Sequence, residues 1–377
     1  MNFDTFNFSP DISEAVSEQG YESPTPIQER AILPAIEGRD VLGLAQTGTG
    51  KTAAFVLPIL QRLQDGPRRQ VRALILAPTR ELAAQTHEAI RVLGRHTGLK
   101  SVAIFGGVNM NPQVKALNRG VEIVVACPGR LLDHLSKKTL DLRRVEILVL
   151  DEADRMCDMG FMPDIRRIVR QLPKKRQTML FSATMPADIL KLTNDLQHNA
   201  VTVQIGHTKP ANTVAHTLYP VSRSRKTALV RRILNDTNTD SVIVFTRTKH
   251  RAKRLAQQLD RAGYPTTSLQ GNLSQNQRER AIKGFRDGTF QVLVATDIAA
   301  RGIDVVDVSH VINFDMPGTA DAYTHRIGRT GRAERNGEAF TFVTGEDAEM
   351  VRSIERVLGE KIERRTVKNF DYTEKIA

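Results

Sequence analysis

Cysteine is scarce in this chain, and long apolar runs are missing. Cys127 and Cys157 are the two cysteines among 377 residues. They form no CxxC and have no His nearby at ligand spacing. That excludes a disulfide framework and a cysteine-bound zinc, and it reads as free thiols in a reducing compartment. No apolar stretch is long enough to span a bilayer, so no membrane association is expected. Met1-Asn2-Phe3-Asp4 carries an acid and no apolar signal core, so a cytoplasmic protein is expected rather than a secreted one. Short-period repeats and low-complexity tracts are absent as well. Positive charge, by contrast, is plentiful: 54 Lys and Arg stand against 42 Asp and Glu, a net +12. This balance favours a polyanionic partner, nucleic acid ahead of an acidic membrane surface, with a solvated basic surface as the bland alternative. The length exceeds what one core usually supports, and two domains are expected.

The stretch that organises the chain is Ala45-Gln46-Thr47-Gly48-Thr49-Gly50-Lys51-Thr52. The apolar run Asp40 to Leu44 leads into it and a helical pattern, Ala53 to Leu57, follows. Strand, Gly-rich turn and helix together are the context that a phosphate-binding loop needs. Backbone N–H groups converge on phosphate oxygens, and the helix N-terminus adds partial positive charge. Lys51 can reach the β- and γ-phosphates, and the Thr52 hydroxyl can hold Mg²⁺. An ordinary Gly-rich turn is the alternative, and Ala45 stands where the general pattern has Gly.

Short apolar runs alternate with helical stretches on both sides of this loop. Strands are expected at Ala73 to Ala77, Ser101 to Phe105, Val121 to Ala126, Glu146 to Leu150 and Gln177 to Phe181. The periodicity lapses around residues 206–213, a candidate linker. It restarts with strands at Ser241 to Thr246, Gln291 to Ala295, Ser309 to Phe314 and Glu338 to Val343. Helices are expected at 252–262, 279–285 and 348–358, and residues 364–377 read as an extended tail. Near-continuous β-rich runs between helices indicate parallel sheets covered on both faces, with sites at the strand C-termini. The second half has no phosphate loop of its own.

Chemistry-bearing residues follow the strands. Asp151-Glu152-Ala153-Asp154 closes one of them. A carboxylate beside a phosphate loop holds Mg²⁺ in such NTPases, and Glu152 is placed to orient or deprotonate a water. The alternative is an acidic turn with Asp154 as a helix cap. Ser182-Ala183-Thr184 can bond to the acidic cluster or simply cap a helix. Tyr21 to Gln28, stiffened by Pro24 and Pro26, offers a ring to stack on adenine and an amide to pair with it. His325 to Arg332 packs three arginines among glycines, suited to charge stabilisation in phosphoryl transfer or to a nucleic-acid phosphate patch. Pro78, Thr79, Arg80, Gly106, Gly107, Pro128, Gly129 and Arg130 offer amides, hydroxyls and arginines that hold nucleic-acid phosphates without reading bases. Arg247, Gln275, Arg278, Thr296 and Asp297 have similar placement in the second half.

Taken in register from Phe3 to about Val343, these motifs resemble the DEAD-box RNA helicases of helicase superfamily 2. Asp158 to Phe161 and Lys368 to Tyr372 are similar to the bacterial RhlE-type subgroup. The resemblance implies an α/β fold of two tandem RecA-like domains, each a mostly parallel sheet with helices on both faces. They would span residues 1–205 and 214–377, joined by the linker 206–213, with ATP in the cleft between them. It implies that Tyr21 stacks on adenine and Gln28 reads it. Ala45, Gln46, Thr47, Gly48, Thr49, Gly50, Lys51 and Thr52 would hold phosphates and Mg²⁺, Asp151 would hold Mg²⁺ through water, and Glu152 would activate the attacking water. Gly302 and Asp304 would complete the nucleotide site, with Arg329 and Arg332 as arginine fingers. Ala45 is the family's usual form. Cys127 departs from it, because Thr usually precedes Pro-Gly-Arg; a thiol is the poorer donor, so one weakened RNA phosphate contact is expected. The implied activity is ATP-dependent local separation of RNA duplexes through single-strand binding, by a monomer, in a setting such as ribosome assembly or RNA decay. A DNA helicase of the same superfamily and an ATP-gated RNA clamp are the rival readings.

Overall fold

The computed structural model describes residues 2–46, 48–205, 214–237, 239–300, 308–331 and 337–372. Contacts divide the chain into two units, Met1–His207 and Thr208–Ala377. The expected linker, residues 206–213, lies outside the described residues.

The first unit holds seven parallel strands: β1 (Val41–Leu44), β2 (Ala73–Leu76), β3 (Ser101–Ile104), β4 (Ile123–Ala126), β5 (Ile147–Leu150), β6 (Gln177–Ser182) and β7 (Val201–Gln204). Their order across the sheet is β3-β4-β2-β5-β6-β1-β7. Successive side chains alternate between faces. In β2, Ala73 and Ile75 join one core with Phe55, Leu57 and Phe181. Leu74 and Leu76 join the other with Leu148, Leu150 and Ile165. Both faces are therefore covered, which accounts for uninterrupted apolar strands such as Ala-Leu-Ile-Leu.

The second unit repeats the plan with β8 (Val214–Pro220), β9 (Val242–Thr246), β10 (Thr266–Leu269), β11 (Val292–Thr296), β12 (His310–Asn313), β13 (Gly337–Val343) and β14 (Glu363–Arg364). The order is β10-β11-β9-β12-β13-β8-β14, the same permutation as in the first unit when strands are counted from β8. All its pairings are parallel too. Val242, Val244 and Phe342 face one core, while Ile243, Phe245 and Leu293 face another. The expected extended tail is instead packed over its described part. Arg365 N–H donates to Leu218 O at 2.9 Å. Phe370 and Tyr372 meet edge to face at 4.7 Å between centroids, and the Arg225 guanidinium lies 5.4 Å over Phe370. Two aromatic rings supply more apolar area than a solvated tail would leave exposed.

No helix among the described residues is long and apolar enough to cross a membrane.

Candidate active site

Three strand ends of the first unit converge on one polar cluster. β1 runs into Ala45, β5 into Asp151, and β6 ends at Ser182. Ala45 N–H donates to Ser182 O at 3.0 Å, tying the phosphate loop to its neighbour. The helix Lys51–Leu63 starts at Lys51 from a left-handed Gly50, φ 90°. A Cβ at Gly50 would overlap the Gln28 amide, so only glycine fits there. Lys51 is buried, and its Nζ donates to Ala45 O at 2.7 Å. Burial pulls its pKa down, against the opposing charges of Asp151 and Asp154. Burial pushes Asp151 up to about 6, although Lys51 and Arg155 favour its ionised form. Thr49 Oγ1 donates to Gln46 O at 2.7 Å, bracing the loop from within. Thr47 lies outside the described residues.

Glu152 is buried and holds left-handed backbone angles, φ 49° and ψ 54°. A non-glycine residue there carries strain of about 1 kcal/mol. Its carboxylate is ion-paired with the buried Arg155 guanidinium. Asp154 accepts from Ala183 N–H at 3.1 Å, Thr184 N–H at 2.9 Å and Thr184 Oγ1 at 3.0 Å. It also closes the loop in the other direction, as its own N–H donates to Ser182 Oγ at 3.3 Å. The hydroxyl residues after β6 thus bond to the acidic cluster, as their sequence position suggests. Arg155 carries no such signal, since an arginine three residues after a carboxylate is an ordinary helix pair.

The adenine-reading candidates lie beside the loop. Tyr21 is 39% exposed, with one face stacked on Phe3 at 5.7 Å. Gln28 accepts from Thr25 N–H at 2.9 Å and donates to Gly50 O at 3.1 Å. A carboxamide has two donors and two acceptor sites. One of each remains for adenine, and the bond to Gly50 links that end of the site to the phosphate loop.

A second group forms where β2, β3 and β4 end. Thr79 caps the helix Arg80–Leu93, accepting from Leu82 N–H at 3.3 Å. Guanidinium nitrogens of Arg80 and Arg130 each lie 3.9 Å from where a Gly106 Cβ would stand, and a Cβ at Gly107 would overlap Arg80. Pro128 and Gly129 open the helix Pro128–Ser136. Two arginines, two glycines and two helix N-termini therefore share one face, a suitable cradle for phosphates. Cys127 is the N-cap of Pro128–Ser136 and makes no side-chain cap bond. Burial raises its thiol to about 12, so it stays protonated. Cys127→Thr is expected to supply the missing cap and stabilise the protein by about 0.5–1 kcal/mol, read as a higher urea midpoint, with tighter RNA binding beside it.

In the second unit the candidates divide. Arg247 follows β9 and its N–H donates to Asp315 Oδ2 at 2.9 Å. Gln275 is buried and donates to Glu279 Oε1 at 3.0 Å. Arg278 donates to Ala299 O at 3.3 Å. Thr296 ends β11. The Asp297 carboxylate is held bidentately by Arg326, Nε to Oδ1 at 2.6 Å and Nη2 to Oδ2 at 2.7 Å. Arg326, the first arginine of its motif, is thus committed within the unit. Arg329 is buried, and its carbonyl accepts from Val308 N–H at 3.1 Å. Gly302, Asp304 and Arg332 lie outside the described residues.

Comparison with known proteins identifies the family. A family model described as DEAD/DEAH box helicase matches residues 25–192, and one described as helicase conserved C-terminal domain matches residues 225–334. The chain is 40% identical over 366 residues to a DEAD-box ATP-dependent RNA helicase CshA of Bacillus subtilis, covering 97% of this chain and 74% of that protein. It is 40% identical over 358 residues to an ATP-dependent RNA helicase CshA of Limosilactobacillus reuteri, covering 95% and 72%. Among solved structures it is similar to S. cerevisiae Dbp5 bound to RNA and ADP BeF3, with a TM-score of 0.86, 32% identity, and 97% and 95% of the two chains covered. A DEAD box protein from Methanococcus jannaschii matches with a TM-score of 0.55, 36% identity, and 97% and 99% covered.

Proposed function

The chain belongs to the DEAD-box ATP-dependent RNA helicases, and from that premise we propose how its own residues divide the work. The family activity is RNA-stimulated ATP hydrolysis coupled to RNA strand separation. One observation carries the assignment of parts: Lys51, Asp151, Glu152 and the Asp154–Thr184 bridge meet at adjoining strand ends of one unit.

ATP places its adenine between Tyr21 and Gln28 and its phosphates on Ala45 to Thr52. Lys51, anchored at the loop by Ala45 O, meets the β- and γ-phosphates. The Thr52 hydroxyl and Asp151 carboxylate form a hard oxygen donor set that fits Mg²⁺, which would neutralise phosphate charge when bound. Glu152 orients the attacking water and receives its proton. Arg329 and Arg332, with Gly302 and Asp304, act on the nucleotide from the second unit, the arginines by countering transition-state charge. Asp154 binds two backbone amides and one hydroxyl of residues 183–184, so a change at the γ-phosphate is felt one strand away.

RNA lies on the face made by Pro78 to Arg80, Gly106-Gly107 and Pro128 to Arg130, with Arg247, Gln275, Arg278, Thr296 and Asp297 on the second unit. Contacts to phosphate and sugar leave base sequence unread, while 2′-hydroxyl contacts separate RNA from DNA. ATP and RNA favour one binding-competent state together, and hydrolysis releases it. The protein works as a cytoplasmic monomer in ribosomal or RNA-decay assemblies. Within the family we assign it to the RhlE-type subgroup on Asp158 to Phe161 and Lys368 to Tyr372. The relatives above carry another name, CshA, so the assignment rests on those two stretches.

Steady-state ATPase rates alone, with single-stranded RNA and with DNA of the same sequence test this reading. RNA stimulates turnover at least about tenfold more than DNA, as expected where 2′-hydroxyls are bound. Equal stimulation by DNA would identify a DNA translocase, and ATP-dependent RNA binding without turnover would identify a clamp.

A further inference from the structure

Behind the RNA face of the first unit lies a buried polar relay that no step above uses. His134, on the helix Pro128–Ser136, is 0% exposed. Its Nδ1 is 2.8 Å from Thr139 Oγ1 and its Nε2 is 3.1 Å from Gln113 Oε1. Gln113, on the helix Asn111–Asn118, donates from Nε2 to Phe105 O at 3.1 Å. Phe105 directly precedes Gly106-Gly107.

Donor and acceptor inventory fixes the direction of the relay. The Gln113 amide nitrogen faces a carbonyl, so its oxygen faces the ring and His134 Nε2 carries the proton. Nδ1 is then the acceptor, and the Thr139 hydroxyl is its donor. The His134 carbonyl, 3.1 Å from that hydroxyl, is already served by Thr139 N–H at 3.0 Å. Every member is satisfied with a neutral ring. Burial, reinforced by the Arg130 charge, holds its pKa below the ordinary histidine value. A fully satisfied buried network specifies one geometry among its elements.

Two RNA-facing segments share those elements. Arg130 lies four residues before His134 on the same helix and donates from Nη1 to Val108 O at 3.2 Å. The Gly106-Gly107 loop is thus held at Phe105 through Gln113 and at Val108 through Arg130, and both holds depend on where His134 sets its helix. We propose that His134 and Gln113 are positioning residues for RNA: they hold the Gly106-Gly107 amides in register with Gly129 and Arg130, so that both segments meet one run of phosphates. This rests on the RNA-binding role given to those loops above.

The alternative is an ordinary satisfied core histidine, and two substitutions separate the readings. Glutamine at 134 reaches the place of Nε2 and still donates to Gln113. Asparagine reaches the place of Nδ1 and still accepts from Thr139. Each deletes one hydrogen bond from a buried site, so their losses of thermal stability are similar. RNA affinity separates them. Affinity for a single-stranded oligoribonucleotide, measured with a non-hydrolysable ATP analogue, falls about tenfold in His134→Asn and stays within about twofold in His134→Gln. In His134→Asn the RNA concentration for half-maximal ATPase rises to match, while kcat and nucleotide affinity stay at the parent values. Gln113→Met repeats the His134→Asn pattern, and the double variant is no worse, because both act through one relay. Equal RNA affinity in the two His134 variants, whether lost or kept, overturns the proposal. A parent enzyme that RNA does not stimulate would instead overturn the functional assignment itself.

Discussion

Glu152→Gln lowers RNA-stimulated ATP hydrolysis by about 10²- to 10⁴-fold, the range that removing a positioned general base produces. The substitution keeps the shape of the side chain and an oxygen able to accept from Arg155, but the amide cannot take up a proton. Its neighbours limit collateral damage. Arg155, which pairs with Glu152, also feels the Asp151 carboxylate, so it keeps a countercharge when residue 152 becomes neutral. The left-handed backbone at 152 is equally costly for Glu and Gln. Exchanging a charge-assisted hydrogen bond for a neutral one destabilises the protein by about 1 kcal/mol, well short of unfolding it. ATP and RNA affinities, read by fluorescence titration, therefore remain near the parent values while turnover disappears. Turnover within threefold of the parent would mean that another group handles the water. Lost ATP affinity together with lost turnover would make Glu152 a structural partner of Arg155.

Much of this site is legible in the sequence because its chemistry is local. A phosphate loop, an acidic strand end and a proline-stiffened aromatic each declare themselves within eight residues. The inner strands are equally plain, since a parallel strand buried on both faces has to be apolar throughout, as in Ala73–Leu76 and Ile123–Ala126. Strands that carry polar residues escape such a reading. Thr266–Leu269 forms one edge of its sheet, and Val214–Pro220 alternates Ala, His and Thr through its first half although it pairs with β13 over seven residues. Connections made at a distance escape too. Gln113 and His134 are 21 residues apart, and neither residue type nor spacing marks them as partners. The three arginines of residues 326–332 read alike along the chain, yet Arg326 faces inward while the roles proposed at Arg329 and Arg332 are catalytic. Identity of residue type conceals a difference in role.

That inward arginine carries the second large effect. Arg326→Ala destabilises the second unit by about 3 kcal/mol, a value discounted from the roughly 3–5 kcal/mol for breaking a buried pair because Asp297 is partly exposed. Arg326 is 2% exposed, and its guanidinium bridges three strands. It grips Asp297 after β11 through two bonds. It donates to Asn313 Oδ1 at 3.1 Å and to Asp315 O at 2.7 Å, at the end of β12 and just beyond it. It lies 5.1 Å over the Phe245 ring of β9. Asn313 passes the contact on, donating to Thr341 Oγ1 of β13 at 3.0 Å. Alanine leaves acceptors on Asp297, Asn313 and Asp315 without this donor. Arg326→Lys keeps the charge but not the planar fork, and it recovers less than half of the loss. A urea unfolding series on parent, Arg326→Ala, Asp297→Asn and the double variant measures this. A coupling energy above about 1 kcal/mol is expected for partners in direct contact. An unfolding midpoint for Arg326→Ala indistinguishable from the parent would return this arginine to the surface-facing role that its motif suggests. Thr296 and Asp297 lead from β11 toward the proposed RNA contacts of this unit. Loosening Arg326 should therefore weaken RNA binding along with the fold, whereas Glu152→Gln keeps RNA binding and costs the fold little. The two variants separate the part of the motif set that performs chemistry from the part that holds its frame.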